Sequence, residues 1–215
     1  MGCCRPSSSN GSTKPKPRAS RKRGAVQTTP TTELEAVNIL LNTIGESPVN
    51  SLQNSAHVDA STARRTLAEV NRAIQTEGWH WNTETDYPLQ PRMEDGNVLL
   101  PANTMRCSVK EPGRDIVQRG NRLYDRRAHS FTFASAVKAD LVLLLEFEDL
   151  PQAARELCVI RAARIFQQRV LGDGELYQFT VRDELKARAD LLEAESESLN
   201  LNILTNSAVA RVLDR

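Results

Sequence analysis

Apolar residues recur at helical spacing in four stretches of the chain. Leu34, Val37, Leu41 and Ile44 follow at steps of 3, 4 and 3, the repeat of one helix face. Thr32 precedes them with Glu35 at capping-box spacing, and Gly45 and Pro48 supply the stop. A second helix is predicted over about 59–77, with Ala63, Leu67, Val70 and Ile74 on one face. Arg65, Glu69 and Arg72 lie opposite, and Gly78 closes it. Asp149 and Pro151 open a third helix, proline being well tolerated in a first turn. Its face is Val159, Ala162, Ala163, Phe166 and Val170, widened by Leu157 and Ile160 and ended by Gly172. The fourth is predicted over about 175–200, with Leu185, Ala189, Leu192, Ser196 and Leu199 inward and Glu193, Glu195 and Glu197 on a charged surface. After it, Val209, Val212 and Leu213 show no firm period, so 201–215 reads as a terminal arm.

Between the second and third helices the texture changes. Pro88, Pro91, Gly96, Pro101, Pro112, Gly113 and Gly120 leave runs too short for helices. Gly120-Asn121 between 116–119 and 122–125 is a two-residue hairpin signal, and Asp95-Gly96 is a second turn. Phe131-Thr132-Phe133 alternates as a strand would, and the apolar run 141–145 reads as a strand covered on both faces. The expected architecture is α+β: helices over 33–78, a small β-rich insertion over 79–147, and helices over 148–200 completing an antiparallel bundle.

Charge changes the picture at the N-terminus. The whole chain of 215 residues carries a formal charge of only +1. Residues 1–32, however, hold seven basic side chains (Arg5, Lys14, Lys16, Arg18, Arg21, Lys22, Arg23) and no acidic one, leaving 21 basic against 27 acidic in the remainder. This stretch is rich in Ser, Pro, Gly and Thr and has too little apolar surface to offset its ordering entropy, so it is expected to be flexible. It lacks the apolar core of a secretory signal, and Pro6 stands where a myristoylation signal wants Ser or Thr. Arg21-Lys22-Arg23 is a candidate contact for nucleic acid or an acidic partner; the plainer reading is a solvated extension. No stretch approaches the ~20 apolar residues of a membrane-spanning helix. The four cysteines (Cys3, Cys4, Cys107, Cys158) have neither disulfide-framework nor zinc spacing, which suits a reducing compartment or indifference to redox state.

Catalytic signatures are sparse. His57, His80 and His129 fall in unrelated segments, and no GxSxG, GxxxxGK[ST] or GxGxxG occurs, so no cofactor is expected. Gly172-Asp173-Gly174-Glu175 reads as a helix–helix turn, lacking the alternating oxygen ligands of a calcium loop. One pattern admits catalysis: Glu146, Glu148 and Asp149 end the apolar run, and Glu146 and Glu148 would share a face if that run stayed extended. Paired carboxylates hydrolyse glycosides, and Trp79 and Trp81 would share a face for stacking on sugars in an extended segment. Trp79 reads equally as a core anchor at the end of the second helix.

Four collinear motifs carry a resemblance. They are Ala36-Val37-Asn38 … Ile44-Gly45-Glu46-x-Pro48-Val49; Arg64-Arg65-x-Leu67 … Asn71-Arg72-x-Ile74-Gln75-x-x-Gly78-Trp79-x-x-Asn82; Arg119-Gly120 … Tyr124-Asp125-Arg126; and Leu150-Pro151 leading to Ala163-Arg164-x-Phe166-x-x-Arg169 … Gly172. Over about 33–200 the chain resembles the tail tubular protein A family, the gatekeeper or head-to-tail adaptor of short-tailed, autographivirus-type bacteriophages. The resemblance implies a non-enzymatic virion protein, assembled in the host cytoplasm into a twelve-fold ring. Its implied partners are other copies of itself, the portal protein above, the nozzle protein (tail tubular protein B) below, and genomic DNA in the channel. Glu193, Glu195 and Glu197 are then candidates to face that channel. The N-terminal 32 residues extend beyond the family's usual start. Two rival readings stay open at this point. One is a glycan hydrolase using Glu146 with Glu148 or Asp149; the other is a small DNA-binding protein acting through Arg21, Lys22 and Arg23.

Overall fold

The computed structural model describes residues 1–2, 29–53, 57–172 and 174–198, with side chains of 174–180 excepted. Arg21, Lys22 and Arg23, Asp173, Leu199 and the arm 201–215 lie outside the described residues. The chain is α+β: among the described residues there are four α-helices and a small antiparallel sheet region between the second and third.

Helix α1 runs Glu33–Thr43, and the capping box is present: the Glu35 amide donates to the Thr32 hydroxyl at 3.3 Å, and the Thr32 amide donates to the Glu35 carboxylate at 3.0 Å. Helix α2 (Val58–Thr76) buries Ala63, Leu67, Val70 and Ile74, the row its sequence pattern predicts. Gly78 follows at φ +83°, and its amide donates to the Gln75 carbonyl. A Cβ there would also come within 3.2 Å of Val142, so glycine answers both the left-handed backbone and the close packing. Helix α3 (Gln152–Val170) follows Pro151 and buries Leu157, Cys158, Val159, Ala162 and Phe166. Val170, expected inward, is 47% exposed, because the core ends one turn earlier at Phe166.

Helix α4 (Gly174–Ser198) corrects the sequence reading more substantially. Its inward residues are Ala187 and Leu191, whereas Leu185 and Leu192 are 65% and 51% exposed. The row of highest apolar content therefore faces outward. The helix is held by charge instead: one Glu184 oxygen accepts from Arg161 Nε and the other from Arg164 Nε, both at 2.6 Å, while Arg188 makes a two-pronged bond to Glu77 at 3.1 and 2.7 Å.

Five strands lie between α2 and α3. β5 (Val137–Leu143) is central, flanked antiparallel by β1 (Thr83–Leu89) and β2 (Thr104–Val109). The apolar run thus becomes the middle strand, beginning earlier than its pattern suggests and ending before Leu145. One extra residue in β1 between Glu84 and Tyr87 makes a bulge. Asp86 takes φ +52° there, with its amide donating to the Asp140 carboxylate. β3 (Ile116–Arg119) and β4 (Arg122–Asp125) form the hairpin around Gly120-Asn121. Phe131–Phe133 does not form the predicted strand: Thr132 makes a single bridge to Asn97.

Two apolar cores result, one among the helices and one beneath the sheet around Val98, Leu123, Val137 and Leu141. A polar seam joins them. Fully buried Gln75 donates to the Leu145 carbonyl at 2.9 Å and accepts from the Leu145 amide at 2.8 Å, closing a two-bond ring from α2 to the segment just after β5. Asn82 donates to the carbonyls of Gln75 and Leu143, and Trp79 Nε1 donates to the Ile74 carbonyl. Trp79 is therefore an anchor, and with His80–Asn82 forming a 3-10 turn the two tryptophans do not share a stacking face.

Candidate assembly surfaces

The acidic cluster on α4 divides when placed on the helix. Residues two apart on a helix point about 200° from each other. Glu193 and Glu197 accordingly share an exposed side, while Glu195 turns back and accepts a hydrogen bond from the His80 amide. Glu195 is spent on holding α4 against the turn after α2, whereas Glu193 and Glu197 are exposed. Next to them, Leu185, Ala189, Leu192 and Ser196 form one outward row. The helix carrying this row is rigidly referenced to the body through Glu184 and Arg188. Burial pushes the Glu184 carboxyl up, but the Arg164 and Arg161 guanidiniums outweigh it and hold it below its ordinary value.

A second surface is one that motif reading quoted without assigning a role. At the hairpin tip Arg119 and Arg122 face each other across the turn. The Arg119 guanidinium lies 3.7 Å over the Tyr124 ring and that of Arg122 lies 4.5 Å over Phe131, the rings themselves being 4.8 Å apart. Stacking fixes both guanidiniums while leaving their edges open to an acceptor. The alternation of Arg and aromatic residues in 119–131 is the sequence signal that could have found it. The turn beneath is fixed by Asp125, whose carboxylate accepts from the Ala128 and Arg127 amides and is thereby held below its usual pKa, burial opposing.

The carboxylate group once open to a catalytic reading is arranged differently from that reading. β5 ends at Leu143, and Glu146 precedes a 3-10 turn over Phe147–Asp149, so Glu146 and Glu148 are not strand neighbours on one face. They border a cleft of about 280 Å³ in which Arg64 is already committed to Glu33 at 2.9 and 3.3 Å. The segment serves as a joint. Arg155, buried, donates to the carbonyls of Leu150 at 2.8 Å, Thr31 at 2.7 Å and Glu148, tying the starts of α1 and α3 to the turn. Among the described residues no group of three or more His, Cys, Asp or Glu side chains is placed to hold a metal ion, and no helix is long and apolar enough to cross a membrane. Burial pushes the Cys158 thiol up to about 12, so it packs as a small apolar group.

Internal charges clamp the helices of this body while stacked arginines and leucines point outward, an arrangement suited to contacts with other proteins, as in a structural assembly protein. Comparison with known sequences makes this specific. The tail tubular protein family matches residues 34–201, and the chain belongs to that family. It is 32% identical over 156 residues to "Tail tubular protein A" of Klebsiella phage KP34, covering 71% of this chain and 81% of the relative. The protein is thus a structural component of the virion tail and not an enzyme, which removes the hydrolase reading.

Proposed function

We propose that this chain is the head-to-tail adaptor, assembling as a closed ring of twelve copies between the portal protein and the nozzle protein, tail tubular protein B, with genomic DNA passing through its bore. The observation that carries the reading is the outward row of Leu185, Ala189 and Leu192 on a helix clamped in place by Glu184 and Arg188. A ring needs a head-to-tail contact repeated around an axis, and a rigid helix with an uncovered apolar row supplies one half of such a contact. Glu193 and Glu197 are proposed to approach the bore. A lining that neutralised phosphates would bind DNA by counterion release, and carboxylates avoid this, keeping the genome sliding.

The test uses the full chain with purified portal protein. Wild type forms a ring seen by sedimentation and electron microscopy, while Leu185→Glu/Leu192→Glu stays folded by circular dichroism and fails to assemble. Unimpaired assembly of that variant overturns the interface. Phage carrying Glu193→Lys/Glu197→Lys package or eject DNA more slowly, and unchanged rates overturn the channel assignment.

A further inference from the structure

Helices α1 and α4 lie on either side of α3 and leave a groove of about 420 Å³ between them. Its floor is apolar, with Ile160 and Ala163 of α3 and Ile39 of α1, the last 43% exposed. Its rim is acidic: Glu156 on α3 and Asp183 and Asp190 on α4, opposed by Lys186 alone. Because α4 runs antiparallel to α3, with Glu184 meeting Arg161 and Arg164, Asp190 stands toward the Glu156 end and Asp183 toward the Ala163 end.

Two facts select an occupant. The chain preceding α1 emerges at the Glu156 end, since Thr31 is pinned to Gln152 at 3.0 and 2.9 Å and its carbonyl to Arg155 at 2.7 Å, one helical turn before Glu156. The residues that lead to that point carry the chain's most one-sided charge, Arg21-Lys22-Arg23 followed by Gly24, Ala25 and Val26. From Glu156 to Ala163 the groove is ~10 Å long at helical rise, and eight extended residues reach ~26 Å, enough to reverse direction and run its length. The C-terminal residues 201–215 fit less well. They carry two basic residues and one acidic, a weaker charge match to the acidic rim.

We propose that residues 21–28 dock back into the α1–α3–α4 groove of their own chain, with Ala25 and Val26 on its floor and Arg21, Lys22 and Arg23 paired with Glu156, Asp183 and Asp190. The extension beyond the family match is then an internal strap that stiffens the contact of α4 with the bundle. This holds whether or not the chain assembles as a ring.

Zero-length carbodiimide cross-linking of the full chain, read by mass spectrometry on a mixture of isotope-labelled and unlabelled protein, tests the placement. Lys22 is expected to link to Glu156, Asp183 or Asp190 within one chain. Links between differently labelled chains, or from Lys22 to carboxylates elsewhere, overturn the proposal. Limited trypsin digestion gives a second readout. Cleavage after Arg21, Lys22 and Arg23 is expected to speed up about tenfold in the full-length Glu156→Gln/Asp183→Asn/Asp190→Asn variant, because three screened ion pairs act together, with cleavage after Arg211 unchanged. Equal rates in variant and wild type overturn it.

Discussion

Replacing Gln75 by leucine tests the seam that fixes the sheet against the bundle. The side chain is fully buried and makes three hydrogen bonds: to Asn71 Oδ1 and the Leu145 carbonyl, both at 2.9 Å, and from the Leu145 amide at 2.8 Å. Leucine has nearly the same volume, so no cavity term enters. The loss is polar: the Leu145 amide and carbonyl lose their partner, and the Asn71 oxygen keeps only the weak contact from the Cys158 thiol at 3.8 Å. At about 1 kcal/mol for each bond lost, with a group left stranded at the other end, Gln75→Leu costs roughly 3 kcal/mol net of the added apolar burial. For a domain of this size that lowers the melting midpoint by about 6–12 °C. Urea unfolding gives the free energy, and hydrogen exchange at the Leu145 amide reports whether the loss is local to the seam. A cost under about 1 kcal/mol, or an unchanged Leu145 exchange rate, refutes the seam as the element holding the two cores together.

Glu184→Gln removes the carboxylate that clamps α4 to Arg161 and Arg164 and lowers the melting midpoint at pH 7 by about 2–4 °C after allowance for solvent screening. Because the carboxyl's pKa is lowered in the folded state, its contribution is full above the ordinary glutamate value of 4.5 and is lost as pH falls through the folded value, so wild type and variant converge in acid; a gap that widens on acidification contradicts this. Gly78→Ala forces alanine to φ +83° and toward Val142, at a cost of roughly 1–2 kcal/mol by denaturant unfolding. Cys158 stays unmodified by iodoacetamide at pH 8 in the native protein and reacts at the unfolding rate, because burial pushes its thiol up to about 12.

Sequence patterning reached furthest where one local rule decides. The Thr32–Glu35 capping box, the inward row of α2, the Gly78 and Gly172 stops and the hairpin at Gly120-Asn121 each depend on a few adjacent residues, and each stands as its pattern predicts. It failed on α4 because periodicity counts apolar residues without asking what lies opposite. The inward face there needs only Ala187 and Leu191, since Arg161, Arg164 and Glu77 supply the grip on Glu184 and Arg188, and the leucine-rich row is left outside. The same long-range effect split Glu195 from Glu193 and Glu197: the partner of Glu195, the His80 amide, is 115 residues away in the chain. Pairing Glu146 with Glu148 on one face requires the apolar run to stay extended, yet β5 ends at Leu143, where Gln75 and Asn82 capture the backbone of 143–145. The arginine–aromatic stack on the hairpin is written plainly in the sequence. Its meaning depends on Phe131 being folded back onto Tyr124, which no local rule supplies.

The central claim, that this tail protein is a ring joining portal to nozzle, is tested most directly by its copy number in purified virions. Quantitative mass spectrometry against the portal protein supplies that number. A ratio of one copy per portal subunit is predicted. A clear departure from one to one, or absence of the chain from the particle, contradicts the adaptor ring.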